Sequence, residues 1–382
     1  MKRMGITRLA NVTGLDHIGI PVFMAVRPNS RGVSVSQGKG VDIASAKVSA
    51  LMESIEGWHA ERVTVPLRYE SYESLRRTDR CVDVHRLPKV HPRPVPPHQP
   101  LLWAEGYDLL QNARTWVPFE SVTLSFVHPP GHVATFYTSS NGLASGNHML
   151  EAICHGLCET LERDAIALWL HEEGDELAKQ RQLDLATVDD PLCRSILERL
   201  AAESVRVALW DVTSDSGIPT YACGIFDKPQ WRAKGLFLGY GTHLSPPVAL
   251  LRAMTEAVQC RLAFIVGSRD DLPPAEYGTH ASADTLLDLE RQLQEPPPAL
   301  DFRQRASLST DTFEEDIATL LSALQRMGVE SAVVVDLSLP EVGIPVVKMV
   351  VPGLEVEASH VVPGTRTQTQ RKLRELPEVE AG

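Results

Sequence analysis

The chain has 382 residues, 43% hydrophobic and 23% charged, an ordinary globular composition with length for a large core or two or three subdomains. Its formal charge of −12 argues against nonspecific nucleic-acid binding, and no apolar run reaches the about 18 residues that a membrane-spanning helix needs. The opening segment, MKRMGITRLANVTG, has no signal-peptide apolar core, so a cytoplasmic protein is expected.

In chain order, residues 16–21, DHIGIP, form a turn that enters a β-rich run at 22–26. Pro is tolerated at a strand's entry, where its missing N–H costs little. Residues 36–40, SQGKG, read as a Gly-rich turn into a helix. This is not a Walker loop, because Lys39 is followed by Gly40 and Val41. Its backbone N–H groups still suit an anion. Residues 45–61, SAKVSALMESIEGWHAE, follow, with Glu53 and Glu56 at i, i+3 among the small residues Ala46, Ser49, Gly57 and Ala60. Val48, Leu51, Met52, Ile55 and Trp58 form the expected core stripe. Residues 86–100, RLPKVHPRPVPPHQP, cannot be regular helix or central strand, and 86–119 is expected to be a Pro-rich loop region. Six cysteines are scattered without a CxxC pair. Cys81, His85, His91 and His98 match no standard metal-ligand spacing.

Residues 140–169, SNGLASGNHMLEAICHGLCETLERDAIALW, read as a turn and one long helix, with His148 in the cap region. Glu151, His155, Glu159 and Glu162 stand at i, i+4, i+8 and i+11, within an arc of about 80°. The opposite face carries Leu150, Ile153, Leu157, Leu161 and Leu168, and Arg163 is the one basic residue. Cys154 and Cys158 lie beside the core stripe and are expected to be small buried residues. Acids on one stripe repel one another, and a bound divalent cation relieves that repulsion. Two amphipathic helices with solvated acidic faces are the simpler alternative.

Further on, amphipathic helices at 192–203 and 312–326 precede strands at 205–211 and 331–337. Each strand is followed by a turn ending in Gly-Ile-Pro, at 215–219 and 339–345, and by a second strand, at 220–226 and 346–351. With residues 16–26 this makes a weak threefold echo. It predicts an α/β (α+β) fold of repeated helix–strand–turn–strand units, with mixed or antiparallel sheets covered by helices. A third site helix, 247–265, follows GYGTH at 239–243 and carries Arg252, Glu256, Gln259 and Arg261. Arg suits phosphate oxygens, and Gln suits a base, ribose or phosphate contact. A charged turn, GSRDD, closes it at 267–271. A helix at 283–294 is expected inside the Pro-flanked segment 272–299, and the polar tail 365–382 is expected to be mobile until a partner or site orders it.

Three segments carry a resemblance: SVSQGKGVDIASAKVSALMESIE, SNGLASGNHMLEAICHGLCETLERDA and the Glu256–Gln259–Arg261 helix, in that order, with VVKMVVPGLE closing. Together they resemble the YcaO family over nearly the whole chain. The resemblance implies a single YcaO domain, 1–382. Its expected subdivisions are site helices within 1–85 and 120–175, a second sheet unit with the third site helix at 176–271, a C-terminal sheet unit at 272–364, and the tail. It implies ATP and Mg²⁺ as cofactors and O-phosphorylation of a peptide-backbone amide. A nucleophile then adds to the amide carbon and phosphate leaves with the former carbonyl oxygen. The product is an azoline with a Cys, Ser or Thr nucleophile, a thioamide with sulfide and an amidine with an amine.

By position, the resemblance assigns Glu53, Glu56, Glu159 and Glu162 to Mg²⁺. It assigns Lys39, Ser49, Glu151, His155, Arg163, Glu256, Gln259 and Arg261 to the nucleotide. Family members often have Gln where His155 stands and Arg where Gly57 stands. Azoline formers often end in a PxPxP tail, whereas this sequence closes ELPEVEAG. The start, ITRLANVTGLDHIGIPVFMAVRPNSRG, looks like members associated with TfuA-like proteins, which are implicated in sulfur delivery. The expected activity is therefore thioamide formation on a peptide or protein substrate, with a TfuA-like partner and a homodimer. Azoline or amidine formation and a noncatalytic nucleotide- or partner-binding scaffold are the alternatives.

Overall fold

The computed structural model describes residues 1–127, 133–171, 180–227, 235–268, 287, 290, 291, 298, 300–358 and 360–369. It has two compact units. One comprises Met1–Trp58, Gly174–Thr213 and Ile218–Ser309; the other comprises His59–Glu173, Ser214–Gly217 and Thr310–Gly382.

The first unit holds two antiparallel three-stranded sheets. One is β1 (Arg8–Asn11), β2 (Val22–Val26) and β3 (Val35–Lys39), in that order. The other runs β10 (Leu236–Thr242), β9 (Thr220–Asp227), β8 (Val205–Asp211). Helix α1 (Ile43–Ala60) follows β3, α4 (Pro191–Ala202) precedes β8, and α5 (Pro246–Val266) follows β10. One apolar core gathers Ile18, Val22, Leu200, Leu209, Cys223, Ala253 and Val258. Helix α4 starts where the Asp190 carboxylate caps the N–H groups of Leu192 and Cys193, with Pro191 at the first turn.

The second unit holds a six-stranded sheet: β4 (Leu67–Ser71), β5 (Pro100–Asp108), β11 (Val333–Asp336), β12 (Val346–Val350) and β7 (Leu143–Ser145), with β6 (Ala113–Pro118) also paired to β5. Helices α2 (Tyr72–Thr78), α3 (Met149–Leu170) and α6 (Phe313–Arg326) complete it. Helix α3 packs on β7, β12 and α6, and thirteen of its residues are buried.

The threefold echo is a structural repeat. Gly19, Gly217 and Gly343, the glycines of the three Gly-Ile-Pro turns, all have φ of 71°, a left-handed conformation that favours Gly. The Thr13, Thr213 and Ser338 hydroxyls accept the N–H of Val22, Thr220 and Val346 at 3.1, 3.1 and 3.0 Å. Each turn joins two antiparallel strands whose partner leads into a long helix: β1–β2 with β3 and α1, β8–β9 with β10 and α5, and β11–β12 with β7 and α3. In the third copy the partner strand and helix come earlier in the chain than the pair they join.

Several expectations are corrected. Residues 36–39 are strand, not turn. Residues 100–118, inside the region expected to be Pro-rich loop, form the β5–β6 hairpin, because the proline cluster ends at the first residue of β5. Helix α1 buries only part of the stripe read from its apolar spacing: Ile55 and Trp58 are buried, and Leu51 and Met52 are partly so. Val48 is 58% exposed, while Ala46, Ala50 and Ser54 are fully buried. Close approach to β3 decides this: a Cβ on Gly38 would fall 1.9 Å from the Ala50 nitrogen. Gly239 and Gly241 on β10 admit α5 in the same way, against Ala253, Ala257 and Ala249. The tail is tied down where it begins: residues 365–369 are helical and Thr367 is buried. The remainder, 370–382, most of the helix expected at 283–294, and residues 269–271 of the charged turn lie outside the described residues.

Candidate functional site

The repeat aligns the site residues. The N–H groups of Gly40, His243 and Gly146 donate to the carbonyls of Pro21, Pro219 and Pro345, at 3.3, 3.2 and 3.3 Å. Glu53, Glu256 and Glu159 each lie thirteen residues beyond that anchor, and Glu56, Gln259 and Glu162 sixteen beyond it. Each of α1, α5 and α3 therefore presents a Glu and, one turn on, a Glu or Gln, at the same height from the same strand-end bond. Ser49, Arg252 and His155 share a third level, nine residues on. The sequence echo pointed to the turns but not to this correspondence.

Within the first unit, Lys39 at the end of β3 ion-pairs with Glu256 at 2.5 Å. The Lys39 N–H donates to the Ser49 hydroxyl at 3.3 Å, and the Gln259 amide donates to the Gln37 carbonyl at 3.3 Å. Lys39, Ser49, Glu256 and Gln259, all assigned to the nucleotide, are thus neighbours. Arg261 is apart from them. It is fully buried and bound to Asp16 at 2.7 Å and Asp227 at 3.0 Å. Burial works against its charge, yet the hydrogen bonds to the two carboxylates raise its pKa above the ordinary value. In this arrangement Arg261 holds the first Gly-Ile-Pro turn to α5.

Within the second unit, α3 is buried along most of its length, and Glu151, His155, Glu159 and Arg163 form its partly accessible stripe. Glu162 is only 3% exposed, with the Arg163 guanidinium 3.6 Å away. Glu151 accepts the Asn147 N–H at 2.7 Å while the His148 ring caps Leu150, a reciprocal N-terminal cap. Cys154 and Cys158 are buried, as expected, and are in no disulfide.

Lys348, on β12, is a residue that the sequence reading passed over. Its only signal was a lysine inside the apolar run VVKMVV. The side chain is buried and donates to the Ser139 carbonyl at 2.5 Å. Burial lowers its pKa to about 8, and the Glu159 charge acts in the opposite direction. A lysine with a depressed folded-state pKa binds fewer protons than the unfolded chain between about 8 and 10.5, so its cost to stability is full below pH 8 and fades as pH rises through that window. Urea unfolding of K348M against the parent at pH 7, 9 and 10.5 is expected to show the difference moving in the parent's favour as pH rises. A pH-independent difference would remove the buried charge.

Among the described residues, no group of three or more His, Cys, Asp or Glu side chains is drawn together as a preformed ion cage. The donor set nonetheless fits Mg²⁺, a hard cation that takes carboxylate oxygens one or two at a time and fills the rest of its octahedron with water and phosphate. No helix among the described residues is long and apolar enough to cross a membrane.

Repeated antiparallel units, each delivering a helix with paired polar side chains, define a class of protein with internal structural repeats. The chain belongs to the YcaO family: the family model described as YcaO cyclodehydratase, ATP- and Mg²⁺-binding, matches residues 37–355. It is accordingly an ATP-dependent enzyme of that family, with ATP and Mg²⁺ as cofactors. It is 34% identical to a protein of Methanothermobacter thermautotrophicus, over 93% of this chain and 91% of that one. It is 35% identical to a Rhizobium leguminosarum bv. trifolii protein named for the tfuA 3′ region, over 94% of this chain and 86% of that one. Two solved structures share the fold. One is YcaO from Methanopyrus kandleri bound with AMPPCP and Mg²⁺, with TM-score 0.73 and 22% identity, covering 100% of this chain and 92% of that one. The other is a heterocyclase in complex with substrate and cofactor, with TM-score 0.74 and 23% identity over 94% of this chain, which spans about half (51%) of that one.

Proposed function

We propose that this protein uses ATP and Mg²⁺ to activate backbone amides of a peptide or protein and that its product is a thioamide. The threefold placement of Glu53, Glu159 and Glu256, with Glu56, Glu162 and Gln259 one turn on, carries the nucleotide half of this reading. The packing of the three repeated helices has no need of a carboxylate at one height, whereas a polyanion with its cations does. The tfuA-region relative and the form of the N-terminal segment support sulfide as nucleophile and a TfuA-like partner.

Glu53, Glu56, Glu159 and Glu162 hold Mg²⁺ through carboxylate oxygens. Lys39 and Arg163 supply positive charge for phosphate oxygens. Ser49, Glu151, His155 and Gln259 provide hydrogen-bonding groups for the nucleotide, and Glu256 holds Lys39 in place. Arg261 acts at one remove, by fixing Asp16 and the turn that enters β2. ATP supplies the phosphoryl group that makes an amide oxygen a good leaving group.

Incubation with ATP, Mg²⁺, sulfide and a candidate precursor peptide, with and without a TfuA-like protein, tests the product by mass. A gain of about 16 Da is expected as sulfur replaces oxygen. A loss of about 18 Da at a Cys, Ser or Thr, with no sulfur gained, makes azoline formation the correct reading. ATP left unconsumed, with the precursor peptide present and unmodified, favours a noncatalytic scaffold.

A further inference from the structure

We infer that Arg366 is a positioning residue that holds the acid-bearing turn of α3 in register for its metal and nucleotide. Asp164 follows Glu162 by two residues on α3, so it leaves the helix about 200° around from it. Its carboxylate is fully buried. Oδ1 accepts the Glu355 N–H at 2.9 Å and Arg366 Nε at 2.9 Å, and Oδ2 accepts Arg366 Nη2 at 3.0 Å. Arg366 extends to the exposed Asp215 through Nη2 at 2.6 Å and Nη1 at 3.3 Å. The backbone carrying Arg366 is itself fixed. The buried Glu355 carboxylate accepts the N–H groups of Gly364, Arg366 and Thr367 at 2.7, 2.9 and 3.2 Å.

A forked guanidinium–carboxylate pair sets distance and rotation together, which a single bond or a lysine does not. Gripping Asp164 from behind fixes both the axial position and the roll of the turn that carries Glu159 and Glu162. Removing Arg366 leaves a buried carboxylate without its cation and removes the two-bond restraint on the position and roll of α3. The closing Glu of VVPGLE and the start of the tail thus belong to the site's framework. The inference rests on the assignment of Glu159 and Glu162 to Mg²⁺–nucleotide binding.

The test titrates ATP consumption, or nucleotide binding, against Mg²⁺ in full-length R366A, R366K, D215N and E162Q, with thermal unfolding alongside. R366A is expected to raise the half-saturating Mg²⁺ concentration about tenfold or more, the scale seen when the partner of a metal-ligand framework is lost. R366K is expected to recover little of it, and D215N to shift it less than about twofold, since that arm is solvent-facing. Added guanidinium at low millimolar concentration should restore R366A but not E162Q. Parent-like Mg²⁺ dependence in folded R366A, or lost activity at unchanged Mg²⁺ half-saturation without guanidinium rescue, overturns the inference. If R366A does not fold, R366K decides on the same criteria. Unaltered Mg²⁺ dependence in E162Q overturns the site assignment beneath it. An E162Q defect with normal Arg366 variants overturns the Arg366 role alone.

Discussion

Glu53→Gln, Glu56→Gln and Glu162→Gln are each expected to lower ATP consumption by about 100-fold or more while the protein still folds. Gln keeps the volume and hydrogen-bonding shape of Glu and loses the charge that binds a cation. The helices that carry these acids are secured elsewhere: α1 through Ala46, Ala50 and Ser54, and α3 through Leu157, Leu161 and Ala165. Their folding therefore should not depend on the carboxylates. Steady-state phosphate release with a peptide present reads the effect, and circular dichroism reads the fold. Near-normal turnover in all three variants would sink the metal assignment.

Gly38→Ala is expected to destabilise the protein by at least about 3 kcal/mol, at the upper end of overpacking costs. The added Cβ would meet the Ala50 nitrogen at 1.9 Å, the Ala46 carbonyl oxygen at 2.4 Å and the Ala50 Cα at 2.6 Å. All three are backbone atoms of one helix, so no side-chain rotation relieves the clash and α1 must move as a body. Such a movement would also displace Glu53 and Glu56, so activity should fall further than the unfolded fraction explains. Gly14→Ala is the control, because nothing lies within 4 Å of its added Cβ, and it should change stability by less than about 0.5 kcal/mol. Urea unfolding measures both. An unchanged midpoint for G38A would mean that α1 does not lie against β3 as described.

The local elements were legible in the sequence because their causes are local. Helices α3, α4, α5 and α6 and strands β2, β8, β9 and β12 follow from side-chain periodicity, from caps such as Asp190–Pro191, and from the Gly-Ile-Pro turns. The acid stripe of α3 was equally visible, since residues four apart share a helix face wherever the helix lies.

Other features depend on which segments meet. The buried face of α1 extends beyond the one that hydrophobicity names, because Gly38 on the neighbouring strand admits the small residues Ala46 and Ala50. The partner strand and helix of the third copy were hidden because β7 and α3 precede β11 and β12 by nearly half the chain, and no spacing rule links strands that pair across such a distance. Lys348, Asp164, Glu355 and Arg366 were likewise illegible: a buried charge acquires a role only from the partner that compensates it, and these partners are brought together by the sheet and by α3. The long helices, most strands around the Gly-Ile-Pro turns, the acids and the family were thus legible in the sequence alone. Which helix faces are buried, and how the Glu–Glu, Glu–Glu and Glu–Gln pairs of the three helices correspond, depends on packing between segments distant in the chain.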